Sequence, residues 1–213
     1  MSPRSARLRN PMAVTAGLAL ACLIASPASA AETNLDMHCQ ATPPIGSAQT
    51  FDLSAGVDAT APDTVASGSS FSVTLATQSM TVPGSVSGYT VKSIKNITLK
   101  APVPANATLT GTHLSGGSGT GSGTPSVSVT GGQIVMSVPG PIGGGQTFTL
   151  PALTLDLTAG ASGGTVDTQL AGSGFGSPGL TFTASVPILF VTVSVPTSCY
   201  PSPNPVLTST TIS

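Results

Sequence analysis

The segment 126–138, SVSVTGGQIVMSV, decides the fold class because it contains a complete β-hairpin. Apolar residues occupy every second position on both sides of Gly131-Gly132, and a two-residue hairpin turn needs the positive φ angles that glycine adopts readily. A turn at these glycines brings apolar side chains together on one face, so the register is self-consistent. The facing pairs are Val129 with Ile134 and Val127 with Met136.

The same spacing recurs through the chain after residue 31, where no stretch keeps a helical period for three turns. Short runs with an apolar residue at every second position, divided by turn residues, are typical of half-buried strands. A chain of about 180 residues can bury a sizeable core. We therefore predict an all-β protein, an antiparallel two-sheet sandwich that forms a single domain over residues 31–200. The runs are 71–75, 127–129, 134–138, 153–157 and 191–195.

Two of these strands change phase at a proline. Apolar residues occupy even positions before Pro151 and odd positions after it, and the same change occurs at Pro187. A slip of one residue moves every following side chain to the other face of a sheet. Each strand is therefore predicted to contain a bulge or a break at its proline, where the chain leaves one sheet for the other.

The first thirty residues have the composition of a secretory signal peptide. Arginines at positions 4, 7 and 9 precede a nearly unbroken apolar run, 12–24, which is too short to remain as a membrane-spanning helix. The sequence ASA at 28–30 has small residues at its first and third positions, which predicts cleavage between Ala30 and Ala31. A lipid on Cys22 is the rival interpretation, but the apolar run continues past it. The chain is expected to be secreted or held in the cell envelope.

Charge narrows the range of partners. Cleavage after residue 30 removes every arginine and leaves three lysines against seven acids, a formal charge of −4. So few cations cannot neutralise many phosphates, which argues against a nucleic-acid partner. Lys92, Lys95 and Lys100 are also too few for a polybasic anchor on anionic lipid.

Two cysteines remain after residue 30, Cys39 near the start and Cys199 near the end. An even pair outside the cytoplasm indicates a disulfide, and two free buried thiols are the alternative. A bridge would require the first and last strands to lie side by side, with Cα atoms about 4.4–6.8 Å apart. The Pro-, Thr- and Ser-rich residues 201–213 are predicted to form an extended tail.

Several short motifs resemble those of small secreted proteins of actinobacteria. The stretch 61–73, APDTVASGSSFSV, is similar to the first strands of secreted bacterial immunoglobulin-like modules. The resemblance implies an immunoglobulin-like sandwich, export, and pairing of the two cysteines. Its motifs are structural, so it implies no catalytic residue. The other motifs lie at 81–91, 99–109, 121–129 and 196–207.

The glycine-rich stretch 112–126, THLSGGSGTGSGTPS, does not match a known catalytic or phosphate-binding loop. It has no Gly-Lys-Ser/Thr, and its glycines do not fall at the first, third and sixth positions of a dinucleotide fingerprint. Ser118 and Ser122 both lack the flanking glycines of a nucleophile elbow. We predict a flexible surface connection.

The remaining candidates for chemistry are two histidines and the carboxylates. His113 shares the phase of Leu109, which predicts a partly buried side chain, while His38 adjoins Cys39, a pairing that could act as nucleophile and base if the thiol were free. Outward-facing carboxylates do not meet the apolar cleft that general acid–base work needs. Asp58 and Asp63 lack the dense spacing of a calcium loop, so no metal is predicted. The outward carboxylates are Asp52, Asp156 and Asp167.

These features favour a non-enzymatic secreted or cell-envelope β-sandwich with a binding or structural role and no cofactor. A protein partner or another envelope component would then be its target. A lipid- or membrane-associated envelope protein is the first alternative, suggested by the low content of charged residues, 6%. An enzyme with an unrecognised site near His38 or His113 is the second.

Overall fold

The computed structural model describes residues 28–213, with side chains from residue 31 onward. Every regular element in that part of the chain is a strand. The arginines, the apolar run and Cys22 of the predicted signal peptide lie outside the described residues. The strands are β1 (Ala28–Ala41), β2 (Gln49–Pro62), β3 (Thr64–Val65), β4 (Ser70–Thr77), β5 (Met80–Thr81), β6 (Ser85–Val86), β7 (Tyr89–Thr90), β8 (Ser93–Pro102), β9 (Ala107–Ser115), β10 (Ser126–Thr130), β11 (Gln133–Val138), β12 (Ile142–Gly143), β13 (Thr147–Phe148), β14 (Ala152–Ala159), β15 (Thr165–Thr168), β16 (Leu180–Ile188), β17 (Val191–Pro201) and β18 (Thr208–Ile212).

Eleven of these strands form one antiparallel sheet, in the order β10-β11-β8-β16-β17-β1-β2-β4-β14-β9, with β12 paired beside β8. The end strands β9 and β10 approach each other, so the sheet nearly closes into a barrel-like shape. The all-β antiparallel class is therefore confirmed. A single curled sheet surrounds the core, and the two-sheet sandwich stays a prediction. The small sheets β15-β18-β3, β13-β5 and β6-β7 complete the fold.

The hairpin predicted from 126–138 is confirmed in fold and register. Val129 pairs with Ile134 and Val127 pairs with Met136 across the turn. Both turn glycines have positive φ, 58° at Gly131 and 73° at Gly132. Ile134 and Met136 are buried in the core, whereas Val129 is exposed because β10 is an end strand of the sheet.

The two prolines behave differently. At Pro151 the predicted break is present, because the chain leaves β13 in the small sheet and continues as β14 in the large one. At Pro187 the prediction of a bulge is wrong. β16 continues through the proline to Ile188, which pairs with Val191, so the chain reverses at Leu189-Phe190. Because residue 188 pairs with residue 191, even-numbered residues of β16 lie opposite odd-numbered residues of β17. The change of phase of the apolar residues therefore needs no bulge.

The two cysteines join neighbouring strands. Cys39 of β1 lies opposite Cys199 of β17, and their sulfurs are bonded at 2.05 Å. Both cysteines lie inside these strands. Their Cα atoms are 4.1 Å apart, slightly below the expected range. Directly opposite residues on antiparallel strands come as close as about 4.5 Å, so this pairing favours a short separation, and the cysteine pair lies slightly below that value.

The last residues of the chain form part of the body, although the sequence predicts an extended tail over 201–213. β18 pairs with β15 on one side and, in parallel, with β3 on the other. Leu207, Thr210 and Ile212 are buried. The composition of this segment, rich in Pro, Thr and Ser, does not indicate a strand. At 208–212 threonines take buried positions that apolar residues occupy in other strands, and they alternate with exposed residues.

Candidate functional site

The curled sheet encloses an apolar cavity of about 720 Å³. Alternation along the strands directs one apolar face of each strand toward this space. The volume lies within the range of about 300–1,000 Å³ that is typical of small-molecule sites, and such sites are mainly apolar with few polar groups. Large side chains on the wall include Leu35, Leu53, Ile97, Met136, Phe148 and Phe182.

The cavity is open at a rim marked by lining residues that are also exposed. Ile45, in the loop 42–48 between β1 and β2, is 88% exposed, and Tyr89 of the β6–β7 hairpin is 54% exposed. Ile188 at the end of β16 completes this rim. The opposite end is covered by the β15-β18-β3 sheet, from which Val166 and Ile212 pack into the core. A ligand therefore has a route to the interior through the rim.

One polar atom inside the cavity has no partner. The side chain of Thr197 on β17 lines the cavity and is buried, at 2% exposure, yet its Oγ1 makes no hydrogen bond. A buried hydroxyl without a partner costs about 1–3 kcal/mol. Thr197 pairs with Ala41, the last residue of β1, so this hydroxyl lies near the open end. The oxygen itself has almost no exposed surface, so a ligand's polar group reaches it only after a neighbouring side chain moves.

The two histidines lie on the outer surface and each pairs with an aspartate. His38 of β1 contacts Asp52 through Nδ1, and its ring lies 5.9 Å from the rings of Phe175 and Tyr200. His113 Nε2 is 2.7 Å from Asp156 Oδ2. The inward direction predicted for His113 is wrong.

The reason for the error at His113 is a β-bulge. Asp156 pairs with Gly111 and Leu157 with Leu109, which leaves Thr110 between them without a partner. The extra residue inverts the alternation beyond it, so His113 faces solvent while Leu109 stays on the core side. The Thr110 hydroxyl donates to the Asp156 carbonyl oxygen at 3.0 Å, which holds the bulge in place.

Neither histidine cluster has the arrangement of a nucleophilic triad. Asp156 lies between its two neighbours, accepting from Ser72 Oγ at 2.9 Å on one oxygen and contacting His113 on the other. A triad needs the histidine between the nucleophile and the carboxylate. At His38 the neighbouring Cys39 sulfur is bonded to Cys199 and is not a free nucleophile.

The carboxylates point outward, as the sequence predicts. Asp52 and Asp167 are exposed, and Asp156 is half-buried in its contact with His113. Gln78 Nε2 donates to Glu32 Oε1 at 2.9 Å and to Asp58 Oδ1 at 3.4 Å. Within residues 28–213, no three His, Cys, Asp or Glu side chains are grouped closely enough to hold a metal ion.

The glycine-rich loop is packed against the body, which corrects the prediction of a loose connection. Ser118 and Thr149 exchange two backbone hydrogen bonds of 2.9 Å. A Cβ on Gly119, whose φ is +67°, would lie 2.6 Å from the carbonyl oxygen of Thr147. The loop spans the gap between β9 and β10, where the sheet nearly closes. Its glycines allow a close backbone approach and do not form an anion site.

Sequence reasoning missed Thr197 and the open end of the cavity. Thr197 reads as an ordinary strand residue, because the absence of a partner depends on what β1 and β16 present to it. The run ILFV at 188–191 does carry a signal, since four consecutive apolar residues break the alternation. No helix able to cross a membrane occurs in the described part of the chain.

Comparison with known proteins gives a relationship of fold. No protein-family model matches the chain, and no curated protein matches it either. A solved structure described as "Crystal structure of Putative membrane anchored protein from Corynebacterium diphtheriae" is similar, with a TM-score of 0.56 and 18% identity over 86% of this chain. The chain spans 38% of the length of that neighbour. At this identity the likeness shows a shared fold.

Proposed function

We propose that this protein is an exported, non-enzymatic envelope protein that binds one apolar or amphipathic molecule with a single acyl chain. The observation that carries the proposal is the apolar cavity of about 720 Å³, which is open at the rim of Ile45, Tyr89 and Ile188. Interiors of folded proteins are normally packed with few voids larger than a water molecule. A cavity of this size therefore favours a ligand-binding role over a purely structural one.

The walls of the cavity favour an acyl chain with its polar end at the rim. Leu35, Leu53 and Ile97 present hydrocarbon to the deeper part, where a polar group would lose its hydrogen bonds to water. Near the rim the unpaired Thr197 hydroxyl becomes a donor or acceptor for a carboxyl, ester or hydroxyl group once a side chain that covers it moves. The volume suits one chain of moderate length.

The proposed location rests on the predicted signal peptide, the disulfide and the structural neighbour. Disulfides persist in oxidising compartments. The neighbour from Corynebacterium diphtheriae is described as membrane anchored, which agrees with a place in an actinobacterial envelope. Cleavage between Ala30 and Ala31 would leave Ala31 paired with Ala59, so the exported strand β1 would still begin in register. We include in this proposal the immunoglobulin-like sandwich that the sequence motifs imply.

The proposal of a non-enzymatic role rests on the geometry of the outer surface. The pairs His38–Asp52 and His113–Asp156 lie on solvent-facing sides of strands, away from the cavity. General acid–base catalysis works best where water is excluded and a carboxyl pKa is shifted. The cavity wall instead presents mainly hydrocarbon.

Ligand binding can be tested with the exported protein. Bound lipid is extracted with organic solvent and identified by mass spectrometry, and binding of cis-parinaric acid is followed by its fluorescence. Ala184→Phe places a ring in the upper cavity, where Ala184 lies on the wall. We expect this variant to bind the fatty acid about tenfold more weakly, since added volume removes space for the chain.

Ser185→Phe is the matched control, because Ser185 is the next residue of β16 and faces away from the cavity. Its affinity should stay within about twofold of the original, a change below 1 kcal/mol. Thermal unfolding of both variants checks that the fold is retained. Equal affinity in all three proteins, or no binding of fatty acid by the original protein, would contradict the proposal.

A further inference from the structure

The β16–β17 hairpin projects beyond its neighbouring strands. The last contact with the β8 side is the hydrogen bond from Lys92 N to Ser185 O, at 2.8 Å. On the other side it is the bond from Thr42 N to Pro196 O, at 2.9 Å. Beyond these bonds the two strands pair only with each other as far as Ile188 and Val191. Val186 and Val195 are still buried, so the exposed part of the hairpin, residues 187–192, forms a projecting two-stranded arm.

The tip of this arm is apolar and exposed. Leu189 is 92% exposed and Phe190 is fully exposed, at 100%, with Ile188 and Val191 beside them. Hairpin turns usually use glycine or asparagine where φ is positive. Leu189 has a φ of +52°, which a bulky side chain rarely adopts. The tip therefore carries large apolar side chains where they neither help the turn nor pack into the core.

The arm belongs to the same surface as the cavity opening. Ile188 is both the base of the tip and part of the cavity rim, together with Ile45 and Tyr89. The segments that surround the opening, 42–48, 83–90 and 186–195, contain no charged residue. Tyr89 adds an aromatic ring with a hydroxyl, the kind of side chain that is enriched at the level of lipid headgroups.

We propose that residues 188–191, with Ile45 and Tyr89, insert into the outer part of a lipid leaflet and bring the cavity opening against the membrane. A narrow convex tip offers little of the area, about 800 Å² per partner, that a stable protein interface needs. A fluid leaflet accepts such a tip without a complementary surface. The three segments around the opening carry no charge and the exposed Lys92 at the base of the arm is a single charge, which fits insertion driven by apolar side chains, with no requirement for anionic lipid. An acyl chain then passes between leaflet and cavity without crossing water.

This inference is tested by flotation with vesicles of phosphatidylcholine alone. The chain contains no tryptophan, so Phe190→Trp provides a single reporter. We expect the protein to float with the vesicles. We expect the reporter emission to shift to shorter wavelength and to be quenched by lipid with brominated acyl chains. Replacing a third of the lipid by phosphatidylglycerol should change binding less than about twofold, because the rim has no charge to attract it.

The decisive variant is the double substitution L189N/F190G. Asn-Gly is a favoured turn pair, so the hairpin should be kept while the apolar tip is lost. We expect vesicle binding to fall by at least about tenfold, since two large side chains no longer enter the hydrocarbon. Val206→Ser is the control, because Val206 is also exposed but is absent from the cavity wall, and it should bind vesicles normally.

Three results would overturn the inference. The first is equal vesicle binding by the original protein and L189N/F190G. The second is binding only in the presence of anionic lipid, which would assign it to charge. The third is a dimer in light scattering that L189N/F190G abolishes, without vesicle binding, which would make a second copy the occupant of the tip. Affinity for cis-parinaric acid without vesicles is independent of the tip, so failure here is distinguishable from failure of the proposed ligand-binding function.

Discussion

Thr197 is the residue at which stability and ligand binding are expected to oppose each other. Its hydroxyl is buried in the cavity wall without a hydrogen-bond partner. Thr197→Val removes that hydroxyl at nearly constant shape. We expect the free energy of unfolding of the ligand-free protein to rise by about 1 kcal/mol, because the uncompensated desolvation disappears. Affinity for a fatty acid should fall, because the ligand's polar end loses its partner. Denaturant unfolding and cis-parinaric acid titration measure the two effects.

The control for that experiment is Thr210→Val. Thr210 is also buried, but its hydroxyl donates to the carbonyl oxygen of Pro62 at 2.8 Å. Removing this donor leaves the carbonyl oxygen without its partner, so the variant should lose about 1 kcal/mol of stability. If both variants shift stability in the same direction, the two hydroxyls do not differ as described.

At the scale of single residues, the sequence predicts direction well wherever a strand keeps one register. The outward direction of Asp52 and the inward direction of Met136 both follow from alternation. The prediction for His113 fails because the bulge at Thr110 inverts the alternation. The neighbouring Gly111 is the one sequence signal, since an isolated glycine within a strand often marks a bulge. Thr197 is beyond sequence reasoning for another reason. A missing hydrogen-bond partner is a property of the surrounding strands and not of the residue itself.

At the scale of strands, the disulfide bond between β1 and β17 has the clearest expected effect on stability. The disulfide closes a loop with a sequence separation of 160 residues, and native disulfides of this kind contribute about 2–5 kcal/mol. Both cysteines are fully buried, at 0% exposure. We expect the folded protein to resist reductant. Reduction after unfolding should lower the melting temperature on refolding and leave the strand content unchanged.

Circular dichroism, thermal unfolding and alkylation followed by mass spectrometry check this prediction. The double variant Cys39→Ala/Cys199→Ala gives the reduced state without added reductant. Strand content should persist, because β1 is also paired along its whole length with β2. Two thiols that react with alkylating agent in the native protein would contradict the buried bridge.

The two hairpins of the sheet show why some elements are predictable and others are not. The β10–β11 hairpin has Gly131-Gly132 at its turn, so both its position and its register follow from the sequence. The β16–β17 hairpin turns at Leu189-Phe190, which lacks every usual turn signal. Pro187 therefore appeared to mark the irregularity. This turn is apolar where a polar turn is expected. The same feature explains the wrong prediction at Pro187 and is the basis of the membrane-insertion proposal.

For the whole molecule, all-β composition and alternation predict an antiparallel protein, but they do not determine how the sheet curves. Curvature brings β9 and β10 together, and the glycine loop between them crosses the gap in close contact with the residues before Pro151. An interior wide enough for a cavity results from this closure. Alternation looks the same in a strand that faces a filled core and in one that faces a cavity, so the sequence does not reveal the site.

In lipid exchange, we expect the cavity to hold the acyl chain and the projecting arm to bring the protein to the membrane. In an assay with cis-parinaric acid in donor vesicles and unlabelled acceptor vesicles, the original protein should accelerate transfer. Ala184→Phe should still bind vesicles but transfer little, because its cavity holds the chain weakly. L189N/F190G should bind the fatty acid in solution with unchanged affinity yet transfer slowly, because the opening no longer meets the leaflet. Transfer by L189N/F190G at the original rate would show that exchange proceeds through water and does not use the arm.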